Sequence, residues 1–240
     1  MTTPLATLDN PAWGALTGPQ AHLAERVGGA ARFLADVSPF TAIADPADPA
    51  AWADLATLVG PGVVVVLVGV DTAPDGWTVA REIPGVRLVA ASLDARADDE
   101  AVVLGASDVP EMLDLVARTE PGPFLPRTIE LGTYLGIRRE GALVAMAGER
   151  LHPPGGTEIS AVCTDASVRG QGLASRLVRA VAAGIVARGE TPFLHAAASN
   201  TGAIALYRRL GFGPPQTVSF TALRSPGEAP AGSDPEGNPS

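Results

Sequence analysis

SVRGQGLASRL, residues 167–177, is the stretch that decides the fold of this chain. It places Arg169, Gly170 and Gly172 in a bend and passes at once into an amphipathic helix. A bend of this kind exposes the unpaired backbone N–H groups of a helix N-terminus, where the helix dipole favours an anion. Glycines let phosphate oxygens approach the backbone, and an arginine adds charge-assisted hydrogen bonds. Taken alone, the stretch fits a phosphate site and an ordinary strand-to-helix turn equally well.

The segments on both sides of the bend alternate between extended and helical patterns. Before it, we predict a helix over 108–119 and three antiparallel strands over 133–138, 142–151 and 157–164. After it, we predict a helix over 173–189, a strand over 193–198, a short helix from Asn200 to Leu210 and a last strand over 217–223. The carboxyl-terminal half therefore has the order strand, helix, parallel strand, helix, strand.

The amino-terminal region is predicted to form a small α/β unit. Asp48-Pro49 begins a helix that runs to Val59, and residues 63–70 (VVVVLVGV) have the composition of a buried strand. Residues 78–82 and 86–92 are predicted to form a hairpin around Pro84-Gly85. No cluster of side chains in this region suggests chemistry.

A polar, charged stretch at 94–100 (DARADDE) separates two apolar runs and predicts a linker or exposed turn. We therefore divide the chain into an amino-terminal α/β region over 1–98, which we interpret as a degenerate companion half or a separate cap, and a second domain over 99–224. Residues 225–240 are expected to form a disordered tail, because EAPAGSDPEGNPS from Glu228 onward has too little apolar surface to order itself.

Composition excludes several classes of function. The net charge is −9 and all 17 basic residues are arginine, without a basic run, so we expect no nucleic-acid partner. The longest apolar run is far shorter than the roughly 20 residues of a membrane-spanning helix, and no signal pattern begins the chain, which predicts a cytoplasmic protein without a membrane partner. One cysteine and three scattered histidines predict neither an internal disulfide nor a metal site.

A dinucleotide site is the nearest alternative for the bend, because Gly170-x-Gly172-x-x-Ser175 almost fits that fingerprint. Two features disagree with it. The third small position is serine, and the acid that follows, Glu190, precedes the next strand and does not end it. A Walker loop is excluded because the chain has no Gly-Lys-Ser/Thr sequence.

Two motifs resemble the GNAT superfamily of acyl-CoA-dependent N-acyltransferases. Arg169-x-x-Gly172-x-Ala174 is similar to the pyrophosphate loop of that family. SNTGAIALYRRLGF, residues 199–212, resembles its second signature, in which an asparagine begins a short helix that carries a tyrosine and Gly-Phe follows. The resemblance covers about residues 101–223. It implies an α/β (α+β) fold with a mixed, mostly antiparallel sheet flanked by helices.

The resemblance also implies where acetyl-CoA would bind. In such proteins the sheet splays between the strands that match 157–164 and 193–198, and the acyl-CoA enters the gap. The implied cofactor-binding residues are Val162, Cys163 and Thr164 beside the pantetheine, Arg169, Gly170, Gln171, Gly172, Leu173 and Ala174 around the pyrophosphate, and Asn200 beside the thioester.

Direct acyl transfer requires a proton for the leaving thiolate, and Tyr207 is the expected donor. The spacing of Tyr207 from Ala203 and Leu210 also fits an aromatic residue that only completes the apolar face of its helix. A single cysteine invites a covalent mechanism, but nothing pairs Cys163 with a base, so we interpret it as a small buried strand residue.

The attacking amine must also lose a proton. Glu158 is the expected base because it lies on the strand beside the acyl site, and strand alternation would place it on the face of Ser160 and Val162. An exposed strand residue is an equally good interpretation of Glu158. His195 and His152 are the next candidates, each interpreted first as a structural residue.

These features predict an N-acetyltransferase that moves an acetyl (acyl) group from acetyl-CoA to a primary amine. The acceptor would be a small molecule or a peptide, and a homodimer stays open as the oligomeric state. The same pocket also fits a non-catalytic acyl-CoA-binding sensor or regulatory subunit, and an NAD-binding dehydrogenase is a third alternative. Neither residues 120–131 nor the first 95 residues show a pattern that identifies the acceptor.

Overall fold

Five α-helices and eleven strands form residues 8–227, the part of the chain that the computed structural model describes. The helices are α1 (Pro11–Thr17), α2 (Pro49–Val59), α3 (Val109–Thr119), α4 (Leu173–Ala187) and α5 (Thr201–Leu210). The strands are β1 (Ala24–Val27), β2 (Ala30–Phe33), β3 (Thr41–Ile43), β4 (Val64–Val68), β5 (Thr78–Val89), β6 (Val102–Val103), β7 (Tyr134–Arg139), β8 (Ala142–Glu149), β9 (Gly156–Thr164), β10 (Thr191–Ala197) and β11 (Gln216–Arg224). The boundary expected for a disordered tail over 225–240 is wrong at its start, because Ser225 is buried, accepts a hydrogen bond from Val63 N–H and donates one to the carbonyl of Gly60. The rest of that tail, from Glu228 onward, lies outside the described residues.

An eight-stranded sheet runs in the order β4-β11-β5-β10-β9-β8-β7-β6. Its only parallel pair within the described residues is β9 with β10, and the other neighbours are antiparallel. A separate antiparallel sheet has the order β1-β2-β3. The prediction of a mixed, mostly antiparallel sheet flanked by helices is therefore confirmed.

Local sequence signals explain most helix boundaries. Asp48 caps α2 by accepting a hydrogen bond from the backbone N–H of Ala50 at 2.9 Å, and proline occupies the first turn. Asn200 caps α5 in the same way through Ala203 N–H at 3.1 Å. Both caps were predicted from the sequence, and both helices begin where the caps place them.

The hairpin expected around Pro84-Gly85 is wrong, because β5 is continuous from Thr78 to Val89. It pairs with β11 along one edge and with β10 along the other. Gly85 serves close packing here and does not make a turn: a Cβ at this position would lie 2.5 Å from Cε2 of Phe220. The Pro84-Gly85 pair therefore lies inside a long strand, where the glycine makes room for the side chain of a neighbouring strand.

The division of the chain at residue 98 does not coincide with a break in the sheet. β4 and β5 come from the first region, and both pair with β11, the last strand of the described chain. The connecting stretch 94–100 contains no helix or strand. Asp98 fixes it to α4 by accepting hydrogen bonds from Nε and Nη2 of Arg176, each at 2.6 Å.

The large sheet carries a different layer on each face. On one face, Leu194 of β10 packs in a buried cluster with the apolar side of α4, including Leu177 and Val181. On the other face, Phe193 packs with α1 and the small sheet, and further along the sheet Met146 packs beneath α3. Strand alternation sends neighbouring residues into different cores. None of the described helices has the combination of length and apolar character that crossing a bilayer requires.

Candidate active site

The parallel ladder between β9 and β10 stops halfway along both strands. It pairs residues 156–159 of β9 with residues 191–194 of β10. β9 then continues to Thr164 and β10 to Ala197 without pairing to each other. The strands separate where the sequence analysis expected the sheet to splay, and the gap leaves the edge of β9 open to an extended ligand.

A bulge in β9 at Ala161 lies next to this gap. Ala161 is a non-glycine residue with a positive φ of 51°, and the β8–β9 register shifts between Met146 and Gly148. Beyond the bulge, Val162 packs with the α4 cluster while Cys163 packs beneath α3. The expectation that Glu158 shares a face with Val162 is therefore wrong, because an extra residue inverts strand alternation.

The gap opens into a cavity of about 920 Å³. Seven of the twelve residues expected at the site line it: Val162, Cys163, Thr164, Arg169, Ala174, Asn200 and Tyr207. The structure thus brings together residues from β9, the bend, α4 and α5. Burial raises the pKa of the Cys163 thiol, so this buried free cysteine stays protonated at neutral pH, in agreement with a packing role.

The bend borders the cavity, because Arg169 and Ala174 at its two ends line the wall. Gly170, Gln171 and Gly172 are exposed, whereas the side chain of Leu173 is buried in the α4 core. Gly170 and Gly172 have φ values of 83° and 76°, and a Cβ on either would meet no atom within 4 Å. These glycines therefore provide left-handed backbone conformations and open space.

The N-terminus of α4 is suited to an anion. Gly172, its N-cap residue, offers no side-chain hydrogen bond to the first N–H groups of the helix. Arg169 lies beside it, with Nε 3.3 Å from the carbonyl oxygen of Thr164. A 15-residue helix with an uncapped N-terminus and an adjacent guanidinium favours a phosphate group.

Tyr207 belongs to both the cavity wall and the core. It is 7% exposed, lines the cavity and packs edge-on against Phe212 with ring centroids 5.9 Å apart. Burial raises the pKa of Tyr207 to about 12, so its hydroxyl keeps its proton at neutral pH. The two interpretations of Tyr207 from the sequence, packing residue and proton donor, are thus compatible.

Glu158 does not belong to the cavity wall. It is buried, and Arg150 donates to it through Nε at 2.9 Å and Nη2 at 2.5 Å. Nδ1 of His195 lies 2.7 Å from Oε1 of the same carboxylate. Burial is the largest single effect and raises the pKa of Glu158, but Arg150 and His195 together outweigh it and lower the pKa to about 2. An ionised, buried and fully paired carboxylate is a poor direct base.

The two histidines named as further candidates have different surroundings. His195 lines the cavity. His152 does not line it and lies 3.6 Å, Nε2 to Oε2, from the buried carboxylate of Glu149. Burial lowers the pKa of His152, so its charged form is disfavoured.

Five residues form a closed series of contacts around one end of the cavity: His195, Phe220, Phe40, Arg150 and Glu158. The His195 and Phe220 ring centroids are 5.5 Å apart, and those of Phe220 and Phe40 are 6.4 Å apart. Cζ of Arg150 lies 4.8 Å from the centroid of the Phe40 ring, and Arg150 pairs with Glu158. All members except Glu158 line the cavity.

The amino-terminal region contributes to this end of the cavity, which the sequence analysis missed. Pro39, Phe40, Val66 and Ile83 all line it. They meet because β4 and β5 enter the large sheet and Phe40 forms a bridge with Val66. No local motif marks these residues, since their proximity depends entirely on the strand order.

Known proteins share sequence and fold with this chain. The family model described as FR47-like protein matches residues 134–219. N-alpha-acetyltransferase RimI of Mycobacterium tuberculosis (strain ATCC 25618 / H37Rv) is 34% identical over 130 residues, which cover 48% of this chain and 81% of that protein.

Solved structures extend the similarity over nearly the whole chain. A putative acetyltransferase from the GNAT family of Novosphingobium aromaticivorans DSM 12444 is 42% identical, with a TM-score of 0.82, over 91% of this chain and 98% of the other. A GCN5-related N-acetyltransferase from Kribbella flavida is 22% identical, with a TM-score of 0.59, over 95% of this chain and 98% of the other, and supports the fold alone.

Proposed function

The chain belongs to the GNAT family of N-acetyltransferases, and from this we propose that it transfers an acetyl group from acetyl-CoA to a primary amine by direct attack. The observation that carries the proposal is the interrupted β9–β10 ladder, which opens into one cavity between the uncapped N-terminus of α4 and Tyr207. An open strand edge, an anion site and a proton donor therefore border the same cavity.

In this proposal, acetyl-CoA lies across the gap in the sheet. The pantetheine amides pair with backbone groups of Val162, Cys163 and Thr164 as an added strand would. Thr164 supports this assignment because its buried Oγ1 has no hydrogen-bond partner among the described residues and it lines the cavity. The pyrophosphate binds N–H groups of the stretch 169–174, with Arg169 adding charge.

The thioester would then lie near Asn200 and Tyr207 on α5. A neutral amine attacks the thioester carbonyl carbon, the C–S bond breaks, and the departing thiolate takes the Tyr207 proton. Asn200 uses Oδ1 to cap α5, which leaves its amide NH₂ group for a ligand.

The acceptor would be an amine attached to an apolar body, as a small molecule or the end of a peptide. The end of the cavity to which the amino-terminal region contributes is lined by Phe40, Val66, Ile83 and Phe220, and we assign the acceptor to this end. The 34% identical relative is an N-alpha-acetyltransferase, which favours an α-amino group as the nucleophile.

Two measurements test the proposal. Acetyl-CoA should raise the melting temperature of the purified protein, whereas NAD should not. Amines with apolar substituents should then release free CoA thiol from acetyl-CoA. Stabilisation by NAD alone would favour the dehydrogenase alternative. Stabilisation by acetyl-CoA with no thiol release from any amine would favour the sensor or regulatory subunit.

A further inference from the structure

His195 has a buried ring nitrogen that no described residue satisfies. Its side chain is 2% exposed and it lines the cavity from β10. Nδ1 lies 2.7 Å from Oε1 of Glu158, whereas Nε2 has no hydrogen-bond partner in the described part of the chain. Because an unpaired buried polar atom costs free energy, its presence at a cavity points to a partner that arrives with the substrate.

Glu158 determines which ring nitrogen carries the proton. The carboxylate is ionised, so it can only accept hydrogen bonds. In neutral His195, Nδ1 must therefore carry the hydrogen, and Nε2 keeps a free lone pair. Arg150 holds the carboxylate through two hydrogen bonds, which fixes the orientation of the imidazole ring.

The charges around His195 are balanced in pairs. Glu158 of β9 contacts the ring and is itself paired with Arg150 from the segment after β8. From β5, Arg87 lies directly across the ladder from His195 and is paired with Asp9 at 3.6 Å. β11 presents an aromatic ring to the histidine. The Glu158 carboxylate is the charged group in direct contact with the ring, and its hydrogen bond from Nδ1 is kept when the imidazole takes up a second proton at Nε2.

We propose that Nε2 of His195 is the base that removes a proton from the acceptor amine, and that Glu158 and Arg150 are positioning residues. This inference rests on the proposed acyl transfer. A proton passes from the substrate ammonium group to Nε2, and the freed lone pair forms a C–N bond with the thioester carbon. The C–S bond then breaks, and the thiolate takes the Tyr207 proton. The second ammonium proton, released from the new amide nitrogen, restores Tyr207 through solvent, and His195 returns its proton to solvent.

Two isosteric amines test this role, because only one of them must lose a proton before it can attack. 2-Phenylethylamine is cationic at neutral pH, whereas O-benzylhydroxylamine has the same length and is neutral. His195→Gln should lower kcat/KM for 2-phenylethylamine on the order of 100-fold, as loss of a general base does. The same variant should slow O-benzylhydroxylamine far less and leave acetyl-CoA affinity unchanged. His152→Gln replaces a half-buried histidine outside the cavity and should alter neither reaction.

The outcomes separate this inference from the proposed function. If His195→Gln slows both amines equally, or neither, His195 is not the base even though the protein transfers acetyl groups. If the wild-type protein binds acetyl-CoA and acylates neither these amines nor others, the proposed function fails and this inference fails with it.

A measurement on the wild-type protein covers the case in which His195→Gln does not fold. Nitrogen-15 spectra of labelled histidine should show His195 in the tautomer protonated at Nδ1, with Nε2 bare in the acetyl-CoA complex. A hydrogen on Nε2 of the neutral ring would overturn the assignment.

Discussion

At the scale of single residues, Tyr207 shows why spacing alone could not separate packing from chemistry. Its position relative to Ala203 and Leu210 fits an apolar helix face, and the structure does bury it against Phe212. The same residue also lines the cavity. A sequence shows which residues share a helix face, but whether that face borders an empty space depends on the neighbouring strands.

Tyr207→Phe should preserve acetyl-CoA affinity, because the ring and its packing remain. Transfer should slow on the order of 100-fold, since the thiolate then leaves without a positioned acid. Calorimetric titration with acetyl-CoA and a thiol-release assay measure the two effects separately. An unchanged rate would remove Tyr207 from the mechanism.

The pH dependence of the wild-type rate should reflect the burial of Tyr207. An ordinary tyrosine has a pKa of about 10, whereas burial raises the pKa of Tyr207 to about 12. The acid is therefore present throughout the range in which a solvent-exposed phenol ionises. A fall in kcat centred near the ordinary tyrosine value, absent in Tyr207→Phe, would contradict this expectation.

At the scale of structural elements, the bend before α4 was predictable and the bulge before it was not. The spacing of the glycines and the adjacent arginine predict the bend directly. The bulge at Ala161 has no glycine to mark it, because alanine adopts the left-handed conformation there. The bulge changes which β9 residues face α3 and which face α4. This change depends on the pairing of β9 with β8, and local sequence does not encode that pairing.

Gly172→Ala tests the function of the bend, and Gly189→Ala is its matched control. Both glycines have positive φ, 76° and 77°, and neither would place a Cβ within 4 Å of another atom. Each substitution should therefore cost a similar amount of stability, about 1 kcal/mol.

Only Gly172→Ala should weaken acetyl-CoA binding, because its Cβ occupies space at the N-terminus of α4. Thermal denaturation and titration with acetyl-CoA measure the two quantities. Equal affinities for the two variants would show that the bend does not contact the cofactor.

At the scale of the whole molecule, the first 98 residues supply part of the large sheet and part of the cavity. The carboxyl-terminal strand order was predictable because short connections and alternating patterns place neighbours together. The insertion of β5 between β10 and β11 was not, since it joins segments separated by more than a hundred residues. Pro84-Gly85 also suggested a turn where the structure has a close approach of Phe220.

Phe40→Leu should affect the acceptor more than the donor. Phe40 lines the cavity and packs with Phe220 and Arg150, so a smaller side chain should raise KM for an apolar amine. Acetyl-CoA affinity should stay the same. Phe33→Leu is the control, because Phe33 is buried in the same layer without lining the cavity. Steady-state kinetics that show equal changes in both variants would assign Phe40 a purely structural role.

The most direct test of the account follows the acetyl group itself. The protein is incubated with acetyl-CoA carrying an isotope-labelled acetyl group and with 2-phenylethylamine, and the products are identified by mass spectrometry. We expect a labelled amide, formed in equal amount to free CoA. Labelled acetate in place of the amide, or bound acetyl-CoA that yields no labelled product with any amine, would contradict acetyl transfer to an amine in this cavity.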